Sequence, residues 1–427
     1  MTDEQHNRTI IHDGPHASEV LNVLSVEIRT PESLPSIAER AAQIVENSVD
    51  PIAGPPKSRH ENDGLLYGLI QSGKTSIITV AAAMAADNGF QCAVILTSDI
   101  DLLYDQTLER VRRALPGLNI LGKNDWQDAQ RFGRQLRTPP FVIVCSKNGR
   151  KLSDLLEAFK AAGARGLSAM IIDDEADQAS LNTYTSKRRE QVSKINEVIT
   201  DFRKFFLVNT YMQVTATPQA LFLQRPDGLY RPSFTVLSQP GPGYIGGEAF
   251  FGPDSRLLQY VDLDEVEQLR TTHQPAPTGT VPYGLRRALL SFLTAAAAKK
   301  IQNPTENYAF LCHVSVKTAD HKHVVSLLDR FKEETMNALR NSSLRQYGKL
   351  IEDLKKEYND LSDTQPGLPP LDQIVEKIKF YLHGANIKLI DALSNEQIKL
   401  DSVYNIFVGG NKLGRGVTIK NLILSHP

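Results

Sequence analysis

One stretch constrains this chain more than any other: Gly68-Leu69-Ile70-Gln71-Ser72-Gly73-Lys74-Thr75. It reads G-x-x-x-x-G-K-T without a departure, the pattern of a loop that wraps phosphate. The spacing follows from the chemistry. A glycine-permitted turn lets successive backbone N–H groups cradle a β-phosphate, a lysine reaches the β/γ oxygens, and the adjacent threonine hydroxyl ligates Mg2+. The cradle then falls on Gly68, Gln71, Ser72 and Gly73, the lysine is Lys74 and the metal-facing hydroxyl is Thr75. Such a loop needs a strand before it and a helix after it. Leu65, Leu66 and Tyr67 form the apolar run before it. Ser76 to Ala86 (SIITVAAAMAA) forms the helix after it, whose N-terminus would point at the anion.

From about 61 to 225 short apolar runs alternate with helix-length stretches. The expected strands are Leu65 to Leu69, Ala93 to Thr97, Phe141 to Cys145, Ala169 to Asp173 and Tyr211 to Thr215. Strands separated by helices imply a parallel sheet covered on both faces, with ligands at the carboxyl ends of its strands. The fourth strand ends in Asp173, and Asp174-Glu175-Ala176-Asp177 follows. A nucleotide-hydrolysing loop needs a carboxylate at a strand end for Mg2+ and a neighbour that orients the attacking water. Asp174 is the expected metal partner and Glu175 the expected base, with Asp173 a competitor for the metal. The alternative is an acidic helix N-terminus stabilised by the helix dipole. The fifth strand runs into Gln213-Val214-Thr215-Ala216-Thr217-Pro218. Alone this is a weak signal, because threonine is common in strands and proline at their ends.

At 427 residues the chain exceeds one ordinary core, so two or three domains are expected. Residues 1–60 read as an accessory segment with one helix, Ser33 to Asn47; residues 61–225 form the first, nucleotide-binding lobe. Residues 226–284 contain Pro240-Gly241-Pro242-Gly243-Tyr244-Ile245-Gly246-Gly247-Glu248-Ala249-Phe250-Phe251, which neither a helix nor a central strand tolerates, and read as an inter-lobe insertion. Residues 285–427 form the second lobe. It opens on the helix Leu285 to Lys300 and the strand Tyr308 to Val314, and carries a Lys/Glu/Leu-rich helical insertion over 318–383. Further strands are expected at Ile387 to Ile390, Ser402 to Val408 and Leu422 to Ser425. Between the last two, Val408-Gly409-Gly410-Asn411-Lys412-Leu413-Gly414-Arg415-Gly416-Val417-Thr418 is a strand running into a glycine loop, where Arg415 is suited to bidentate contact with phosphate.

The order of these pieces carries a resemblance. A phosphate loop, then D-E-A-D, then T-A-T is similar to motifs I, II and III of superfamily-two helicases and translocases. Ala93 to Thr97 with Leu103, Gln106 and Thr107 resembles their motif Ia, Phe141 to Lys147 their later DNA-contacting strand and loop, and the stretch around Arg415 their motif V. More narrowly, I-I-D-D-E-A-D, V-T-A-T-P-Q-A, P-G-P-G-Y-I-G-G-E-A-F-F and V-G-G-N-K-L-G-R-G-V-T resemble the Z-one domain family, often labelled endonucleases and encoded beside bacterial restriction and defence genes. The resemblance implies an α/β engine of two RecA-like lobes with parallel sheets that hydrolyses ATP with Mg2+ and acts on DNA. It also implies partner nucleases or methyltransferases. By the same resemblance Gly410, Arg415 and Gly416 reach the nucleotide, and Asp177, Thr215, Ala216, Thr217 and Thr418 couple it to the nucleic acid. The departure is motif VI, the arginine-bearing helix such engines carry after motif V. The chain stops at Pro427 before it, which implies a second lobe incomplete at its C-terminus and weak turnover.

Two other readings compete with a DNA-stimulated ATPase. A chain that itself cuts DNA would need an acid and a (D/E)-x-K pair on a strand, and the near match, Asp353-Leu354-Lys355, falls in the helical insertion. His313, His321 and His323 lack a matching Cys or carboxylate frame for a metal. The third reading is a docking module in which ATP is only a switch. A formal net charge of −1 decides nothing about nucleic acid, since a basic groove can be offset elsewhere. The three cysteines, Cys92, Cys145 and Cys312, sit in apolar runs and suit buried thiols of a reducing compartment. With no apolar leader and no membrane-length run, a cytoplasmic protein without a membrane partner is expected.

Overall fold

The computed structural model describes residues 8–28, 30–55, 62–179, 189–222, 230–270, 280–313, 315, 317–390, 398–410, 413 and 419–426. The chain divides into two units, Met1–Leu257 and Leu258–Pro427, each built on a parallel sheet.

Among the described residues the first unit contains seven strands: β1 (Gly64–Gly68), β2 (Cys92–Thr97), β3 (Asn119–Leu121), β4 (Phe141–Ser146), β5 (Ser168–Asp174), β6 (Val208–Thr215) and β7 (Phe234–Ser238). Their order across the sheet is β3-β4-β2-β5-β6-β1-β7, and every pairing is parallel. Its helices begin with α1 (Pro15–Glu27), α2 (Leu34–Asn47), α3 (Lys74–Asp87), α4 (Asp101–Ala114) and α5 (Ala129–Gln135). There follow α6 (Gly149–Ala161), α7 (Ala176–Ala179), α8 (Arg189–Phe205), α9 (Gln219–Phe222) and α10 (Gly247–Phe251).

Central parallel strands are buried on both faces, so they read as unbroken apolar runs, and β2 and β4 are buried along their whole length. Successive side chains go to opposite faces. Ala93, Ile95, Val142, Val144, Met170 and Ile172 join a core with α1 to α4; Val94, Leu96, Ile143, Cys145 and Ile171 join another with α5, α6 and α8. Helix α3 is buried nearly all round, because α1 and α2 cover the side that the sheet does not, and its alanines allow that close approach. All three cysteines are buried free thiols.

Three features differ from the sequence reading. Helix α1 adds a second helix to the N-terminal segment. It buries only Ala17, Val20 and Leu24, a stripe too thin to announce itself, and its first turn is capped by Asp87, which accepts from His16 N at 3.1 Å and Ala17 N at 2.8 Å. β3 is an edge strand of only three residues. β7 lies inside the stretch read as an inter-lobe insertion, yet it is the edge strand beside β1, in register from Gly64↔Phe234 to Gly68↔Ser238.

The second unit holds β8 (Tyr308–Cys312), β9 (Asn386–Ile390), β10 (Tyr404–Gly409) and β11 (Leu422–His426), in the parallel order β11-β8-β10-β9. Its helices are α11 (Leu263–Gln268), α12 (Tyr283–Gln302), α13 (Thr318–Arg340), α14 (Arg345–Thr364) and α15 (Leu371–Tyr381). The stretch read as a helical insertion is helical, but α13 packs on β9 and β10 as a layer of the sheet, whereas α14 and α15 pack on α12. Not all its charges are solvated: Glu357 is buried and accepts from Arg287 Nε at 3.0 Å and Ser291 Oγ at 2.8 Å. Asp353 lies on α14, a helix, and pairs with Arg286 and Lys356 at 3.5 and 3.6 Å. No described helix is long and apolar enough to cross a membrane.

Candidate nucleotide site

The sheet order explains how distant sequence pieces meet. β6 lies between β5 and β1, and Val214 is in register with Asp174 on one side and Leu66 on the other. Asp174 therefore stands two strand spacings, about 10 Å, from the strand that feeds the phosphate loop. Both lie at the carboxyl ends, where the ligands of such sheets bind.

The loop takes the conformation its glycines allow. Gly73 precedes α3 with φ +91°, a region that side-chain-bearing residues rarely enter, and Gln71 is held at φ +57°. A side chain on Gly68 would meet Ser238 Cβ at 2.6 Å and Ser72 Oγ at 2.8 Å, so the loop leaves β1 flush against β7. Two contacts tie that far side down. Ser72 and Ser238 share a hydroxyl hydrogen bond of 3.3 Å, and Tyr244, from the Pro/Gly-rich stretch, donates its hydroxyl to Ile70 O at 2.6 Å.

Lys74 opens α3, and its ammonium donates to Gly68 O at 3.0 Å and Leu69 O at 2.6 Å. Burial lowers its pKa, while the charges of Asp174, Glu175 and Asp177 act in the opposite direction. The loop lysine and the three acids of the second motif thus share one electrostatic neighbourhood. Thr75 is in the first turn of α3, half-buried.

The acidic turn is tightly organised. Asp173 is wholly buried; Tyr211 donates its hydroxyl to Oδ2 at 2.5 Å, and the buried Lys147 ammonium pairs with Oδ1 at 3.0 Å. Asp174 is half-buried, and its Oδ1 accepts from Glu175 N at 3.1 Å. Burial raises the Asp174 carboxyl above the ordinary carboxylate range; the Lys147 charge opposes this and the Asp173 charge adds to it. Glu175 adopts a left-handed backbone, φ +55°, unusual for a residue with a side chain. Asp177 then bonds across to β6: Oδ1 accepts from Thr215 Oγ1 at 2.6 Å and Oδ2 from Thr217 Oγ1 at 2.7 Å, while Thr217 N donates to Thr215 Oγ1 at 2.9 Å. Ala216 sits between these threonines and makes no such bond.

Behind the turn a second polar layer continues. Asp63, immediately before β1, accepts from Arg203 Nη2 of α8 and from Tyr211 N at 3.1 Å. The Arg203 guanidinium lies 4.4 Å from the Tyr211 ring centroid and 5.4 Å from that of Tyr230. Sequence reasoning missed Lys147 as a member of this site, as well as Tyr211, Arg203 and Tyr244. Lys147 closes the stretch that resembles a DNA-contacting strand and loop, and it is buried under the acidic turn. The one available signal was a lysine directly continuing the apolar run FVIVCS.

In the second unit, Gly410 follows β10 and its carbonyl accepts from Leu413 N at 2.9 Å. Arg415, Gly416 and Thr418 lie outside the described residues. His321 Nε2 is 2.7 Å from Ser315 O and His323 Nε2 is 3.1 Å from Gln268 O; among the described residues no His/Cys/Asp/Glu cluster suits a metal ion.

No curated protein sequence matches the chain. Among solved structures it is similar to the helicase domain of Hef from Pyrococcus furiosus, at 11% identity over 85% of this chain and 86% of that one, TM-score 0.34. It is also similar to Dbp5 of S. cerevisiae bound to RNA and ADP-BeF3, at 13% identity over 96% of this chain and 77% of that one, TM-score 0.43. Dbp5 bound to Gle1 and IP6 gives 12% identity over 95% and 76%, TM-score 0.44. Residues 284–426, from the first turn of α12 to the end of β11, match the family model of the Z1 domain.

Proposed function

We propose that the chain is a DNA-stimulated ATPase of helicase type, a translocase or remodeller working in bacterial restriction or phage defence. The observation that carries the ATPase reading is the sheet register: Asp174, at the end of β5, lies across β6 from the strand that feeds the loop ending in Lys74, and Asp177 bonds to Thr215 at the end of β6 and to Thr217 just beyond it. DNA as the stimulating partner, a nuclease or methyltransferase as a companion protein, and the defence setting rest on the motif resemblance.

Lys74 and the N–H groups of the loop and of the first turn of α3 bind and orient the phosphates. Mg2+ fits this donor set, because Asp174 is a carboxylate whose charge burial penalises and a cation beside it would relieve that cost. Thr75 and Asp174 would hold the ion, with Asp173 already engaged by Lys147 and Tyr211. Held there, the ion would supply positive charge against the phosphates. Glu175 orients the attacking water and takes its proton, and the Asp177–Thr215–Thr217 latch connects that event to the end of β6. The direct test is Lys74→Ala. Loss of measurable ATP hydrolysis is expected; normal hydrolysis by the variant would end the proposal.

A further inference from the structure

Lys147 is a buried cation beside the acidic turn that the proposed reaction does not use. Its side chain is 3% exposed, at the carboxyl end of β4, where its own backbone N–H donates to Thr97 O at 2.7 Å. The ammonium donates to Asp174 O at 2.5 Å and Glu175 O at 2.8 Å, and pairs with Asp173 Oδ1 at 3.0 Å. All three partners belong to consecutive residues of the acidic turn. An ammonium carries three donors, and burying one is unfavourable unless each is met, so a lysine here is not a space-filler that an apolar residue would replace unnoticed. The carbonyls it holds belong to the two peptides on either side of Glu175, whose left-handed backbone, φ +55°, persists only where its surroundings over-determine it.

We infer that Lys147 is a positioning residue of the hydrolytic site: by clamping the carbonyls of Asp174 and Glu175 to the end of β4, it fixes the turn from which Glu175 acts on water. This rests on the ATPase reading above. Asp173 anchors the ammonium and Tyr211 anchors Asp173, so the clamp is referenced to β6 as well as to β4.

The test separates a positioning role from simple charge balance. Lys147→Met alone strands the Asp173 carboxylate, so it is paired with Lys147→Met/Asp173→Asn, which removes both charges and keeps the interior neutral. Melting temperature, ATP dissociation constant, kcat and amide hydrogen exchange across residues 174–177 are measured on the full chain. For the double variant the clamp predicts a melting temperature near wild type, ATP affinity within about two-fold, and faster exchange in the turn. It also predicts a kcat about 10- to 100-fold lower, the scale expected when a reacting group is displaced by about an ångström. Wild-type kcat in the stable double variant overturns the inference, as does a loss of activity matched by an equal loss of ATP affinity. Should the wild-type chain bind ATP without turning it over, the ATPase reading fails, and the exchange measurement still decides the clamp: unchanged exchange across 174–177 refutes it.

Discussion

Replacing Arg203 with methionine tests whether the polar layer behind the site holds β1 in place. Arg203 and Asp63 are both buried, and the pair links α8 to the residue just before the strand that carries the phosphate loop. Removing the guanidinium leaves the Asp63 carboxylate in the interior with its Tyr211 N–H contact at 3.1 Å, and breaking one side of a buried pair costs about 3–5 kcal/mol. Loss of the guanidinium from the Tyr211 face, 4.4 Å away, adds about 1 kcal/mol. A total of about 4–6 kcal/mol corresponds to a melting temperature lower by about 10–20 °C for a unit of this size. The single tryptophan, Trp126, is buried in the first unit, so its fluorescence in a urea titration reports that unit alone. Asp63→Asn/Arg203→Met removes the stranded charge and should recover most of the loss. If Arg203→Met unfolds within about 1 kcal/mol of wild type, the pair is not an anchor.

Two further expectations follow from the acidic turn. Because burial raises the Asp174 carboxyl, the folded protein binds a proton that the unfolded chain releases; the group therefore favours folding below the ordinary carboxylate pKa and loses that contribution as pH rises through its folded value. Without metal or nucleotide, Asp174→Asn should be more stable than wild type near pH 7 and equal to it in acid, while losing ATP turnover; a variant less stable at pH 7 contradicts the burial argument. For the latch, a double-mutant cycle between Thr215→Val and Asp177→Asn should give a coupling of about 1–2 kcal/mol, the worth of a short charge-assisted bond that is partly exposed, and additivity would show that the 2.6 Å contact contributes nothing.

The elements legible from sequence were those whose environment leaves a local trace. β2 and β4 are buried on both faces and spell unbroken apolar runs, and β1, β5 and β6 are marked by the motifs at their ends. β7 was hidden because an edge strand needs no such run: Phe234-Thr235-Val236-Leu237-Ser238 buries only Val236 and Ser238, and prolines surround it. Its consequence is that the Pro/Gly-rich stretch after it reaches the phosphate loop through Tyr244. Within the site, sequence order placed the loop, the acids and the threonines together but left Asp173 and Asp174 in competition. Asp173 takes its partners from elsewhere in the sheet, Lys147 just after β4 and Tyr211 within β6; the lysine is marked only by continuing an apolar run, and Tyr211 is one more residue of an apolar strand.

The most direct measurement is steady-state ATP hydrolysis by the full chain, with and without single- and double-stranded DNA, alongside Glu175→Gln. Turnover that DNA raises, and that falls by about 10²- to 10⁴-fold in Glu175→Gln while ATP still binds, is the expected result, the scale of a lost general base. Turnover that is indifferent to Glu175→Gln, or ATP binding with no hydrolysis under any DNA condition, would contradict the account.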